Sequence, residues 1–256
     1  MGALHDGHRS LFHAARKRCD IVVASIFVNP TQFGPNEDFS RYPRTFDADR
    51  RMLEQESVNI LFAPAVEEMY PAEASNAAPT LIHVAGVSER LDGASRPGHF
   101  DGVATVVTKL FNIVQPELAF FGQKDAAQVA VLRRMVRDLN QPVELVVGRT
   151  IREEDGLAMS SRNRYLSPEE RQQARVLSRA LIAAETMAKN GESSSAPMID
   201  AMRTIFSAEP NVKIEYLEIL HPDTLLPIAD TRAGALIAVA AHVGKTRLID
   251  NLLLPA

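Results

Sequence analysis

The sequence predicts an α/β fold. A doubly wound parallel sheet is followed by a smaller α+β domain carrying an antiparallel sheet. Three observations support this. Short β-branched apolar runs alternate with amphipathic helical stretches through the first two-thirds of the chain, as in doubly wound sheets. Those runs are apolar throughout rather than alternating, as in parallel strands buried on both faces. Beyond Gly148 the alternation stops, and three strand-like runs follow without long helices between them.

In chain order, residues 8–18 form a helix with Leu11, Phe12, Ala14 and Ala15 on one side. Asp20 to Val28 (DIVVASIFV) is a strand, and Phe46 to Gln55 is a charged, amphipathic helix. Val58 to Ala63 is the next strand. Gly102 to Val114 is an apolar helix that stops before Pro116. Leu118 to Phe121 is a strand. Lys124 to Leu139 is a helix with Val129, Leu132, Met135, Val136 and Leu139 on its buried stripe, and Val143 to Val147 is a strand. Glu154 to Ser167 reads as a polar loop. Pro168 to Lys189 reads as one long helix, with Ser167 as N-cap, Pro168 at the first position and Glu170 completing a capping box. Asn190 to Ala196 is a connector, and Pro197 to Ala208 is a helix. Lys213 to Leu220, Ala235 to Val243 and Arg247 to Leu254 are strands expected to run antiparallel. The domain boundary falls near Arg149, giving domains of 1–149 and 150–256.

Composition narrows the functional classes. The 256 residues carry 28 Lys plus Arg and 32 Asp plus Glu, a net charge of −4. This opposes a general nucleic-acid binder, which needs a basic surplus to meet phosphates. One cysteine, Cys19, allows neither an internal disulfide nor a thiolate cluster, and fits a reducing, cytoplasmic setting. No apolar run approaches the roughly 20 residues that a membrane helix needs, so no membrane partner is expected.

Three short motifs carry chemistry. His5-Asp6-Gly7-His8 lies at the mouth of a helix, where two imidazoles share one side of a turn. Gly7 permits close backbone approach, and the free N–H groups of the helix start favour anions. Gly122-Gln123-Lys124-Asp125 follows a strand directly, the place where open parallel sheets bind ligands. There Lys124 can neutralise phosphate and Asp125 can accept from ribose hydroxyls. Met159-Ser160-Ser161-Arg162-Asn163 offers two hydroxyls and a guanidinium as a phosphate clamp. Each alone also fits a bland role: exposed histidines, a turn, a solvated loop. Their joint occurrence points to a nucleotide triphosphate.

An H-x-G-H turn followed by a Lys/Ser/Arg loop resembles the nucleotidyltransferase superfamily, which attacks the α-phosphorus of ATP. MGALHDGH, SIFVNPTQF, RYPRT, SRPGHF, FFGQKDAAQ, DGLAMSSRNRYLS and RLIDN together resemble the pantoate–β-alanine ligase family along essentially the whole chain. The resemblance implies a Rossmann-like nucleotide-binding domain and a C-terminal lid domain. It implies an ATP-dependent ligase that makes pantothenate from pantoate and β-alanine through a pantoyl adenylate, releasing AMP and pyrophosphate. It also implies Mg²⁺ and a cytoplasmic homodimer.

Carried over by motif, Met1, Gly2 and Gly7 line the ATP site, with His5 and His8 on the phosphates and His8 the expected proton donor. Gly122, Lys124 and Asp125 hold phosphates and ribose, Ile151 meets adenine through its backbone, and Met159, Ser160, Ser161 and Arg162 close over the phosphates. Gln32 and Gln128 bind pantoate. Each amide offers a donor and an acceptor without a charge that would repel the substrate carboxylate. Arg96 and His99 cover the substrate site. No magnesium ligand is assigned, although Asp47 and Asp49 are candidates.

The chain departs from the family pattern in places. Gln123 stands where many relatives have Glu, and Ala127 where many have Gln. Family members carry a helix and a central strand ahead of the position of Met1, so a misassigned start or a shortened chain is expected. The alternatives are an adenylyltransferase of the same superfamily, which would not need the glutamine pair, and a truncated, inactive nucleotide-binding paralogue.

Overall fold

The structure is a computed structural model and describes residues 2–35, 37–71 and 80–256. The chain forms two compact units. The first lies within residues 1–122 and 127–148, the second within 123–126 and 149–256. The short 123–126 turn therefore groups with the C-terminal part of the chain.

The first unit contains α1 (Asp6–Arg16), β1 (Val23–Ser25), α2 (Phe46–Gln55), β2 (Ile60–Phe62), α3 (Val66–Met69), α4 (Asp92–Ser95), α5 (His99–Val114), β3 (Leu118–Gly122), nearly all of α6 (Ala126–Asp138), and β4 (Glu144–Gly148). Its strands are parallel, as predicted, in two ladders: β1 with β2 from Val23–Ile60 to Ser25–Phe62, and β3 with β4 from Leu118–Glu144 to Gly122–Gly148. The long apolar run 20–28 yields only three paired residues, because a strand extends only as far as its partner's backbone groups reach it. Phe12 of α1 packs with Leu4, Ala24 and Leu53 into a small core, and Val103, Val131, Leu132 and Met135 of α5 and α6 are also buried.

The second unit contains α7 (Pro168–Ala174), α8 (Val176–Lys189), α9 (Ser195–Ser207), β5 (Val212–Leu220), β6 (Ala235–Val243) and β7 (Thr246–Leu254). The three strands form an antiparallel sheet in the order β5-β6-β7, as predicted. Leu177, Leu181, Met198, Met202, Ile237 and Val239 build its core. The capping box at Ser167 is present in full: the hydroxyl accepts from the Glu170 N–H at 3.1 Å, and the Glu170 carboxylate accepts from the Ser167 N–H at 2.9 Å. The single helix expected over 168–189 is two helices. They meet at Arg175, whose N–H bonds to the Gln172 carbonyl three residues back rather than four. This tightening turns Ala174, Val176 and Leu177 together into the core.

Candidate active site

In the first unit, His5 is the N-cap of α1. Its Nδ1 accepts from the Gly7 N–H at 3.2 Å, and the Nδ1 of His8 accepts from the His5 N–H at 3.3 Å. The two rings lie 4.1 Å apart. With both Nδ1 atoms accepting, the proton of each neutral ring sits on Nε2. The histidines are thus matched Nε2–H donors at the positive end of an eleven-residue helix, an arrangement suited to phosphate oxygens.

The turn is tied to α2 by a carboxylate that the sequence offered only as a metal candidate. Asp49, 3% exposed, accepts from the Ala3 N–H at 2.9 Å, the Leu4 N–H at 2.8 Å and the Thr45 hydroxyl at 2.9 Å. Both oxygens are committed to these donors, so Asp49 anchors the segment entering His5. Ala3 is held there at φ 48°, a left-handed conformation.

Gln32 ends a 3₁₀ turn, Pro30–Gln32, capped by Asn29. The buried Asn29 donates to the Gly102 carbonyl at 3.0 Å and accepts from the Tyr70 hydroxyl at 2.9 Å. Burial outweighs the hydrogen bonds to Thr31 and Asn29 and raises the Tyr70 phenol above its usual range. Position 102 must be glycine for this packing, because a Cβ there would lie 2.5 Å from the Thr31 carbonyl oxygen. Arg96 and His99 both donate to the Gln32 carbonyl, at 3.1 and 2.8 Å. Arg96 also forms a fork on Glu37, at 2.8 and 2.6 Å. Burial and the Arg96 charge hold His99 below the ordinary histidine range, outweighing the Gln32 carbonyl, Asp92 and Glu37. For Glu37, burial acts upward, but the Arg96 bonds and charge, a Gly34 backbone bond and His99 outweigh it and lower the carboxyl. Gln128 stands half-buried at the start of α6, and Gly122 closes β3 opposite Gly148.

In the second unit, residues 123–125 form a 3₁₀ turn in which Lys124 Nζ lies 3.5 Å from Asp125. The buried Asn251 of β7 holds the turn. Its amide donates to the carbonyls of Gln123 at 3.0 Å and Lys124 at 2.8 Å, and its oxygen accepts from the Gln123 amide at 3.1 Å. Its neighbour Asp250 makes a bidentate pair with Arg152, at 2.6 and 3.0 Å. The serine–arginine loop begins where the Met159 N–H donates to the Ile151 carbonyl at 2.9 Å. Ser160 then caps the 3₁₀ turn Ser161–Tyr165 through the Arg162 N–H at 3.2 Å. Asn163 donates to the Ala158 carbonyl and to Glu153, and Arg171 pairs with Glu153 and Asp155. The predicted clamp is therefore a braced turn rather than a loose loop.

The structure brings His5 and His8 together, and Gln32 together with Arg96 and His99. Of the other expected residues, Gly2 is buried and Met1 lies outside the described residues. Sequence reasoning passed over Glu37, Asn29 and Asn251 and assigned no such role to Asp49. The signals were present in the Asn-Pro-Thr-Gln cap and in RLIDN, but nothing local names their partners. A cavity of about 260 Å³ in the first unit is lined by Gly2, Phe27, Phe39, Arg44 and Val66 among others. Of the residues singled out in the sequence it reaches Gly2 and the magnesium candidate Asp49.

A sequence model described as pantoate-beta-alanine ligase matches residues 1–253. The chain is 60% identical over 254 residues to a pantothenate synthetase of Acidobacterium capsulatum, an alignment spanning 99% of this chain and 84% of that protein. It is 56% identical over 256 residues to one from Koribacter versatilis, spanning 100% of this chain and 87% of that protein. Among solved structures, a pantothenate synthetase from Thermus thermophilus superposes with a TM-score of 0.94 at 52% identity, covering 98% of this chain and 90% of that one. A Francisella tularensis pantoate-beta-alanine ligase, described as complexed with beta-gamma ATP and beta-alanine, gives a TM-score of 0.77 at 33% identity, covering 99% and 87%.

Proposed function

The chain belongs to the pantoate–β-alanine ligase family, and we propose that it activates pantoate with the histidine turn, the Lys124 turn and the Ser160–Arg162 loop as its phosphate-binding parts. It is an ATP-dependent ligase of pantoate and β-alanine. In the proposed course, a pantoate oxygen attacks the α-phosphorus of ATP and pyrophosphate leaves. The β-alanine amine then attacks the acyl carbon of the pantoyl adenylate, AMP departs with the C–O electron pair, and the nitrogen loses a proton.

The observation that carries the assignment is the tautomer-fixed pair His5 and His8. Two Nε2–H donors at a helix N-terminus suit charge developing on phosphate oxygens, which supports the assignment of His8 as proton donor. Lys124, Ser160, Ser161 and Arg162 add charge and hydroxyl donors. Gly2, Gly7 and Gly122 allow close backbone approach, and Met1 and Met159 line the same ligand. Asp125 takes the ribose and the Ile151 backbone takes adenine. Gln32 and Gln128 hold pantoate, and catalysis is mainly positioning and charge neutralisation.

Mg²⁺ bound with the triphosphate would add further charge neutralisation. The acidic side chains do not fit a protein-built site for it. Among the described residues no three His, Cys, Asp or Glu side chains converge on one point, and Asp49 spends both oxygens on protein donors. No step is derived through the ion. No helix among the described residues is long and apolar enough to cross a membrane. A cytoplasmic homodimer acting on small molecules rather than nucleic acid completes the proposal, and sedimentation velocity tests the dimer.

The deciding experiment is exchange of labelled pyrophosphate into ATP without β-alanine. Exchange that requires pantoate is the expected result. Binding of ATP without exchange would overturn the proposal and favour an inactive nucleotide-binding paralogue. Exchange indifferent to pantoate but dependent on a phosphate acceptor would favour an adenylyltransferase.

A further inference from the structure

We infer that Glu37, Arg96 and His99 form a positioning unit that sets pantoate affinity by fixing the backbone of Gln32. This rests on the assignment of Gln32 to pantoate. The geometry argues against direct substrate contact by Arg96 and His99. The Gln32 carbonyl has two lone pairs, and Arg96 Nη2 and His99 Nδ1 both donate to it, at 3.1 and 2.8 Å. Because Nδ1–H donates, the Nε2 of a neutral His99 is an acceptor, and Arg96 Nη1 lies 3.0 Å from it. The remaining face of the guanidinium is forked onto Glu37. Arg96 is thereby committed to Glu37, His99 and the Gln32 carbonyl rather than to a ligand carboxylate.

The chain favours this closed arrangement. Arg96 caps α4 and His99 opens α5, with Gly98 between them in a left-handed conformation (φ 80°) that bends the backbone so that both side chains meet one carbonyl. Asn29 and Gly102 hold the other side of the same turn. The charged groups facing His99 are Arg96, Asp92 and Glu37. A proton on Nε2 would turn the acceptor into a donor against Arg96 and set two cations together. Acid therefore opens the unit from the histidine.

The test is pantoate-dependent pyrophosphate exchange, reading KM for pantoate and for ATP separately, with thermal melts to confirm folding. Gln32→Ala, Glu37→Gln and Arg96→Lys are expected to raise KM for pantoate about tenfold, the scale of one lost charge-assisted hydrogen bond, with KM for ATP changed less than about twofold. His99→Asn keeps an N–H donor where Nδ1 stood. It is expected to raise pantoate KM at pH 8 less than Arg96→Lys does, and to abolish the acid-side rise of that KM expected in the unaltered protein. If Gln32→Ala raises pantoate KM while Glu37→Gln and Arg96→Lys leave it unchanged, the positioning unit is overturned and the Gln32 assignment survives. An unchanged pantoate KM in Gln32→Ala overturns both. Equal rises in both KM values, or a fall in kcat alone alongside a lower melting temperature, reveal a merely structural contact and also overturn the inference.

Discussion

Replacing Asp49 by alanine removes the carboxylate that receives the Ala3 and Leu4 N–H groups and the Thr45 hydroxyl. Ala3 and Leu4 are 1% and 9% exposed, so water cannot easily take over as acceptor. Each buried donor left unsatisfied costs about 1–3 kcal/mol, or about 2–6 for the pair. Against this, the buried charge disappears with its own desolvation penalty. That penalty is small here, because two backbone dipoles, a hydroxyl and the N-terminal turn of α2 already solvate the carboxylate. The offset is therefore slight and the donor penalty should show nearly in full, about 2–6 kcal/mol of lost stability in urea unfolding. Asp49→Asn keeps one acceptor but turns an amide N–H₂ toward the second donor, and should fall between alanine and the unaltered chain. Because His5 directly follows the anchored pair, KM for ATP in the exchange assay should rise in both variants, more in alanine. A loss below about 0.5 kcal/mol, within the range of an ordinary surface change, would refute the anchoring argument.

Three further outcomes are expected. Asn251→Ala strips the Gln123 and Lys124 carbonyls of their side-chain donor; it should weaken ATP binding several-fold in direct titration, and unaltered affinity would separate that turn from phosphate recognition. Ala3→Gly relieves a left-handed alanine (φ 48°) and should be neutral or stabilising by up to about 1 kcal/mol in urea unfolding, whereas a clear loss would mean the conformation is unstrained. His99 is held below its ordinary 6.5, so the fold prefers it neutral. Its contribution is complete above about pH 6.5 and lost as acid carries the pH down through its lowered value. Glu37 is held below its ordinary 4.5, so its contribution is present above that and disappears at lower pH. Melting temperature against pH should show the first loss in the unaltered chain but not in His99→Asn.

The elements themselves were largely legible. The apolar runs located all seven strands of the described residues, and the Ser167 capping box marked a helix start to the residue. Strand lengths were less legible. DIVVASIFV looks like nine residues of strand, but only Val23 to Ser25 pair in the ladder, with backbone bonds at Val22 and Ile26 beyond it. The break at Arg175 also left no mark, because the helical stripe continues through it. At the candidate site the sequence offered the residues that would face a ligand. It did not reveal those that hold them, since Asp49 acts on a segment about 45 residues away and Asn251 on one 127 away. A polar tie across such a distance leaves no periodicity and no local spacing to read. Arg96 shows the cost of that gap: the resemblance set it over the substrate site without naming Glu37, against which its guanidinium lies.

The Lys124 turn has one more consequence, in the order in which the chain is made. The backbone passes from one unit to the other between 122 and 123, back between 126 and 127, and out again between 148 and 149. The turn emerges from the ribosome 127 residues before the asparagine that secures its Lys124 carbonyl. At about 5–20 residues per second, that interval is on the order of ten seconds. Throughout it, residues 123–125 stand between β3 and α6 without their side-chain brace. This lysine turn is thus completed late, by the returning strand β7. No division of the chain at a single point can yield two fragments that both keep their own pieces.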